Sequence, residues 1–257
     1  MRIATWNVNS LNVRLARLEE WLDYARPDVL CLQETKMADS AFPHLGLAAR
    51  GYEAVHHGQG RWNGVAILSR VGIEDVVSGM PRSDPADPEE ARLVTATCGG
   101  VRVSSVYVPN GRSLTDDHYR YKLRWLGDLR SFLEATGDPA QPAVVAGDFN
   151  IAPADNDVAP GIQADTHTSP AVRGALGDLC DWGMVDVFRQ HHPAEPIYSW
   201  WDYRAGDFHK GRGLRIDLLL ATPAVAERTT FVLIDRQARK GKQPSDHAPV
   251  FLDVDLG

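Results

Sequence analysis

Cysteine is scarce in this chain, and what there is has no partner in sight. Cys31, Cys98 and Cys180 are scattered and odd in number, and the first two sit in apolar, strand-like runs. That excludes a disulfide framework, and no His/Cys cluster has zinc-site spacing, so reduced, buried thiols are expected. No apolar run approaches the roughly 20 residues of a membrane span, so no membrane partner is expected. Met1 leads straight into the strand-like RIATWNVNS, leaving no room for a secretory signal, and a cytoplasmic location follows as the expectation. A Gly-rich P-loop and a G-x-S-x-G are both missing, so triphosphate use and serine hydrolysis have no support.

Positive charge is also in deficit. The formal net charge is −7, which by itself argues against a phosphate-rich partner. The distribution argues the other way. Nine basic residues fall from Arg204 to Lys242 among loop-like glycines, with Arg189 upstream as a tenth. Acidic residues crowd the stretch from Asp84 to Glu90. The plainer reading of such runs is a solvated face.

Strand and helix patterns fill the 257 residues, with no linker, repeat or low-complexity tract, so one α/β domain over 1–257 is expected. RIATWNV, DVLCLQE, GVAILS and PAVVAGDFN read as strands, several of them apolar on both faces. LVTATC-GG-VRVSSVYV reads as a hairpin with a Gly-Gly turn. Leu11, Leu15, Leu18 and Leu22 recur at helical spacing before Pro27. Trp125, Leu126, Leu129, Phe132 and Leu133 mark a second helix, and a third runs from about Ala171 to Trp182. RIDLLLA, TTFVLID and APVFLDV close the chain as strands. Polar groups cluster where strands stop: Asn7 and Asn9, Glu34, Tyr107, Asp148 and Asn150, Asp217, Asp246 and His247. Ligands of α/β proteins gather at such ends, so these residues read as one assembled site.

In PSDHAPV, Asp246 adjoins His247, but neighbours on an extended backbone point opposite ways. The His247 ring therefore needs a partner from another strand. Asp217, a lone carboxylate inside the apolar strand RIDLLLA, is the best candidate, because a buried carboxylate must be paired. The alternative is a turn cap at Asp246–His247, with Asp217 salt-bridged to Arg215. In GDFN, Asp148 and Asn150 share a face if the strand stays extended; the carboxylate can orient water and the amide can donate to phosphate. Gly-Asp-x-Asn is equally good turn chemistry. Glu34 in LQET suits a hard cation such as Mg2+, which takes oxygen ligands, or it is a strand-end residue in solvent. Trp200, Trp201 and Tyr203 beside arginine in SWWDYR can stack on sugars and bases, or be core residues.

Taken in order, WNVNS, LQETK, WNGVAILS, YVPNG, GDFNIAP, SWWDYR, GLRIDLLLA and PSDHAPV resemble the exodeoxyribonuclease III family of apurinic/apyrimidinic (AP) endonucleases, within the endonuclease/exonuclease/phosphatase superfamily. The resemblance runs from Arg2 to about Val254. It implies a four-layer α/β-sandwich, two packed mixed β-sheets flanked by helices, of the deoxyribonuclease I-like kind. It implies Mg2+-dependent cleavage of the phosphodiester 5′ to an abasic site, with Mn2+ as a substitute ion, and 3′→5′ exonuclease and 3′-phosphatase or phosphodiesterase activity. The implied metal ligands are Glu34, Asn7 and Asp246. Tyr107, Asp148, Asn150, Asp217 and His247 take the catalytic roles: phosphate contact, water activation, phosphate binding and the Asp–His pair. Asn9, Asn110, Arg112, Trp200, Leu214 and Ile216 take substrate binding, the last three lining the pocket for a base-free sugar. Some relatives carry an acidic residue at the position of Asn9. The implied partner is double-stranded DNA with abasic sites or blocked 3′ ends, bound by a monomer. Rival readings are a phosphodiesterase acting on a non-DNA substrate and a catalytically silent nucleic-acid-binding regulator.

Overall fold

Side-chain alternation along the strands decides how the layers stack. In the computed structural model, which describes residues 1–257, twelve strands form two six-stranded sheets. They are β1 (Arg2–Asn7), β2 (Val29–Gln33), β3 (Glu53–His57), β4 (Val65–Ser69), β5 (Glu74–Ser78), β6 (Leu93–Cys98), β7 (Val101–Tyr107), β8 (Ala143–Asp148), β9 (Val185–Asp186), β10 (Asp217–Ala221), β11 (Thr229–Ile234) and β12 (Val250–Val254). One sheet has the order β11-β12-β1-β2-β4-β3, the other β5-β6-β7-β8-β10-β9. Each sheet is mixed, with a single parallel pair, β1 with β2 and β7 with β8.

Odd positions on β1, β2, β4, β7 and β10 (Ile3, Cys31, Ile67, Val103, Leu219) and even positions on β6, β8 and β12 (Ala96, Ala146, Leu252) meet between the sheets. The opposite faces receive helices. Trp6, Leu30 and Leu68 pack under the helix Leu11–Ala25 through its Leu18, Trp21 and Leu22. Val145, Leu218 and Leu220 pack under the helices Asp117–Thr136 and Pro170–Trp182 through Leu126, Leu129, Phe132, Leu176 and Leu179. Four layers result, with each buried Leu, Ile or Phe contributing roughly 1.5–3 kcal/mol. The helix ends follow local chemistry. Asp116 and Ser169 accept backbone N–H bonds at N-termini, and Arg26 ends the first helix in the left-handed region just before Pro27.

The same period of two builds the site. Asn7, Gln33, Tyr107, Asp148 and Asp217 continue the between-sheet faces of β1, β2, β7, β8 and β10, and Asn7 pairs with Gln33 while Asp148 pairs with both Tyr107 and Asp217. The inner layer thus turns polar at one end. Thr5 Oγ1 donates to Gln33 Oε1 at 3.1 Å, and Gln33 Nε2 donates across to Ser105 Oγ at 3.1 Å. Strands β3, β5 and β9 had no sequence signal. β3 and β5 are edge strands, and every residue of β5 is exposed, so no burial pattern marks it.

Candidate active site

Asp217 and His247 meet at the polar end of the inner layer. His247 Nδ1 lies 2.9 Å from Asp217 Oδ2, and Ser199 Oγ donates to the same carboxylate at 2.6 Å. Asp217 is not paired with Arg215. That arginine, fully buried, points the other way and binds Asp157 and Asp186. The stiff corner PSDHAP is tied to β1: Ser245 Oγ donates to the Asn7 carbonyl at 2.7 Å and Trp6 Nε1 to the His247 carbonyl at 3.2 Å. Asp246 does face away from His247, accepting from Asn9 Nδ2 and from Trp200 Nε1, each at 3.0 Å.

Beside this pair, Asp148 ends β8 and the chain turns at once. Asn150 has φ 50°, and its N–H donates to Asp148 Oδ1 at 2.9 Å. The expected extended geometry is therefore replaced by an Asx-type turn, which swings Asn150 Nδ2 to 3.4 Å from Asp148 Oδ2. Turn chemistry and site chemistry are one feature here. Glu34, also left-handed at φ 52°, comes from the other sheet. Asn7 bridges the two, its Nδ2 donating to Glu34 Oε1 at 2.8 Å and to Asp148 Oδ2 at 2.9 Å. His247 Nε2 stands 3.8 Å from Asp148 Oδ2.

Burial sets the electrostatics. It pushes the Asp148 carboxyl up to about 7; His247 opposes this, and Asp217 and Glu34 add to it. At His247 burial works against the imidazolium, but Asp217 and Asp148 outweigh it and hold the ring up at about 10. Burial and the nearby Glu34 keep the Tyr107 phenol protonated far above its usual range. At Asp246 burial is outweighed by His247 and by the bonds from Trp200 and Asn9, which hold the carboxylate below its usual range.

Donor atoms of Glu34, Asp148 and His247 all lie within 4.8 Å of one another. This differs from the set Glu34, Asn7 and Asp246. The Asn7 oxygen is taken by the Asn9 N–H at 2.9 Å, so Asn7 turns its nitrogen, not its oxygen, to the carboxylates. Asp246 lies outside the three-residue group, with one oxygen on Asn9 and the other on Trp200. Between Asp246 and Glu34 sits Lys36, whose ammonium is 2.8 Å from Glu34 Oε2 and 2.6 Å from Asn9 Oδ1. A cation of the chain's own thus already resides beside Glu34. Two carboxylates with that attraction for positive charge suit a hard divalent ion.

The expected substrate contacts are distributed unevenly. Asn110 donates to Asn150 Oδ1 at 3.2 Å and holds the Arg112 N–H at 2.9 Å; the Arg112 side chain is exposed. Leu214 and Ile216 are each only 2% exposed and form a small apolar cluster with Ala152 and Ala164, against which Trp200 packs. The basic run is not one surface. Arg215 and Arg189 are spent on Asp157 inside the protein, and Arg239 is buried, whereas Lys210, Arg212, Arg236, Lys240 and Lys242 are exposed. The acidic run is neutralised internally, Asp87 by Arg124 and Glu90 by Arg92. Sequence reasoning missed Lys36, Ser199, Ser245 and Arg92, whose guanidinium stacks 4.6 Å over the Tyr107 ring. Lys36, Ser199 and Ser245 lie inside motifs already singled out, and their small or common side chains hid them.

The model of the endonuclease/exonuclease/phosphatase family matches residues 4–247. The chain belongs to that family. Exodeoxyribonuclease III of Haemophilus influenzae is 34% identical, over 98% of this chain and 99% of its own length. An AP endonuclease structure from Archaeoglobus fulgidus superposes with a TM-score of 0.94 at 40% identity, covering 99% of both chains. The 3′ phosphatase NExo from Neisseria, bound to a product DNA hairpin, superposes at 0.93 with 42% identity and 99% coverage of both. The four-layer, two-sheet architecture is common to them, and the chain is a nuclease-type hydrolase of this group. No helix is long and apolar enough to cross a membrane.

Proposed function

We propose that the protein is a Mg2+-dependent DNA repair nuclease that cuts the phosphodiester 5′ to an abasic site and also trims or dephosphorylates 3′ ends. The observation that carries this reading is the convergence of Glu34, Asp148 and His247 within 4.8 Å, with Asp217 behind the histidine. Similarity to enzymes named for AP endonuclease, exodeoxyribonuclease and 3′ phosphatase activity supports the substrate class.

Glu34 and Asp148 would hold the Mg2+, which supplies charge neutralisation and polarises the phosphate. Asp148, the buried carboxylate facing Glu34 across the ion, would also orient the attacking water and take its proton. His247, charged and clamped through Nδ1, turns Nε2 to the same space and donates to a phosphoryl oxygen. Asn150 spends one N–H on the Val108 carbonyl at 3.1 Å; the other makes only a long 3.4 Å contact with Asp148 and would be open to a phosphate oxygen on that side. The protonated Tyr107 adds a neutral donor. Selectivity comes from extrusion, because a nucleotide without a base has no stacking or pairing to break. Trp200 with Leu214 and Ile216 forms the apolar wall for its sugar.

The test is incubation with an end-labelled duplex bearing one abasic analogue, with Mg2+ and with EDTA. A single Mg2+-dependent product 5′ to the lesion is expected. Binding without cleavage would favour a silent regulator, and a preference for bis-p-nitrophenyl phosphate would favour a phosphodiesterase of small molecules.

A further inference from the structure

Lys122 lies on the helix Asp117–Thr136, directly behind the GDFN turn, and its side chain is wholly buried. Its ammonium donates to the Asn150 carbonyl at 2.5 Å and to the Thr166 carbonyl at 2.9 Å. Both partners are neutral. Burial accordingly pushes the Lys122 pKa down to about 7, with Asp148 partly offsetting the loss. The half-buried His167 also faces it, and burial of its ring, then Lys122, drive it down to about 3. Packing alone gives no reason to bury a cation there. A methionine would fill similar space without desolvating a charge.

The contacts supply the reason. Asn150 is in the left-handed region, which asparagine tolerates better than most residues but which still leaves its four polar groups to be held in one arrangement. Its N–H is held by Asp148, its Nδ2 by Val108 and its Oδ1 by Asn110. The carbonyl is held by Lys122. The second bond, to Thr166, reaches the segment that carries His167, whose carbonyl accepts the Ala152 N–H at 2.8 Å. Ala152 in turn belongs to the apolar cluster of Leu214 and Ile216. One ammonium therefore ties the Asp148–Asn150 turn to the wall assigned to the sugar.

We propose that Lys122 is a positioning residue: by gripping the Asn150 carbonyl it fixes the left-handed turn that aims the Asn150 amide at the scissile phosphate. The proposal rests on the nuclease reading above. It is tested by a double-mutant cycle in single-turnover incision of an abasic duplex. Lys122→Met is expected to lower the incision rate about 10- to 100-fold, the scale of a misplaced catalytic group, with DNA affinity nearly unchanged. Asn150→Ala is expected to cost about 10²–10³-fold as a lost phosphate donor. In the Asn150→Ala background Lys122→Met should add no more than about threefold, because the two act through one turn. If Lys122→Met does not fold, as judged by circular dichroism, the cycle is run with Lys122→Leu, which also removes the donor. Equal cost of the lysine change in both backgrounds, or no cost in either, overturns the proposal. An inactive wild type overturns the nuclease reading instead, and a harmless Asn150→Ala removes the phosphate role of Asn150 and the proposal with it.

Discussion

Glu34 and Asp148 are carboxylates of one site delivered by opposite sheets, and the chain treats them differently. Glu34 follows β2 on a left-handed residue, keeps 15% of its side chain exposed and carries the Lys36 ammonium at 2.8 Å. Asp148 ends β8 at 1% exposure, and the donors on its oxygens are the Asn7 amide and the N–H and amide of Asn150. Burial lifts its carboxyl to about 7. Two like groups thus become unlike reagents through their surroundings. The open one, already paired with a cation, is placed to hold an ion. The enclosed one shares that ion and is placed to act on water as well.

Asp148→Asn probes the enclosed side and should have the largest effect. A lost acid or base costs about 10²–10⁴-fold, so the incision rate should fall on that scale while a DNA-binding titration stays near wild type. An unchanged rate removes the role. Asp217→Asn comes next, with a loss of about 10²-fold or less. Asp217 helps hold His247 up near 10, so the alkaline limb of the pH–rate profile should also move to lower pH. A loss without that movement makes Asp217 a packing residue only.

A third effect is on stability. Asp148 keeps its proton to higher pH when folded than its ordinary range near 3.9, so its contribution is present on the acid side and lost as pH rises through about 7. His247, also raised, contributes below about 6.5 and loses that contribution as pH rises through about 10. In EDTA, the urea midpoint of the wild type should therefore drop more between about pH 5 and pH 8 than that of Asp148→Asn. Equal drops would show that the enclosed carboxylate is not perturbed. Smallest is the outer rim. Lys240→Ala with Lys242→Ala, both exposed, should leave incision at saturating DNA unchanged and lower the salt slope of binding by about 0.9 for each DNA phosphate that the pair neutralises. An unchanged slope would place both lysines away from the DNA.

Much of this arrangement was legible in the chain. The continuous apolar strands and the helical leucines are strong periodic signals, and the polar residue closing each strand marked the site end. That Asp217 needs a partner was legible, since a carboxylate inside RIDLLLA cannot stay alone, but His247 and Arg215 both remained open and the fold selects His247. What escaped depends on direction rather than composition. Arg215 stands between Leu214 and Ile216, and only the fold reveals that it turns inward to Asp157 instead of outward to DNA. The orientation of the Asn7 amide is fixed by a backbone N–H two residues on. The bend at Asn150 converts an expected shared strand face into a turn. Edge strand β5 had no buried face to announce it.

The central claim is that carboxylates from two sheets share one divalent ion. Calorimetric titration of Mn2+ into the wild type, Glu34→Gln and Asp148→Asn tests it directly. Each substitution should weaken the same site by at least about tenfold, as loss of even an outer partner of a metal ligand does. Mn2+ bound with wild-type affinity by both variants would contradict the account.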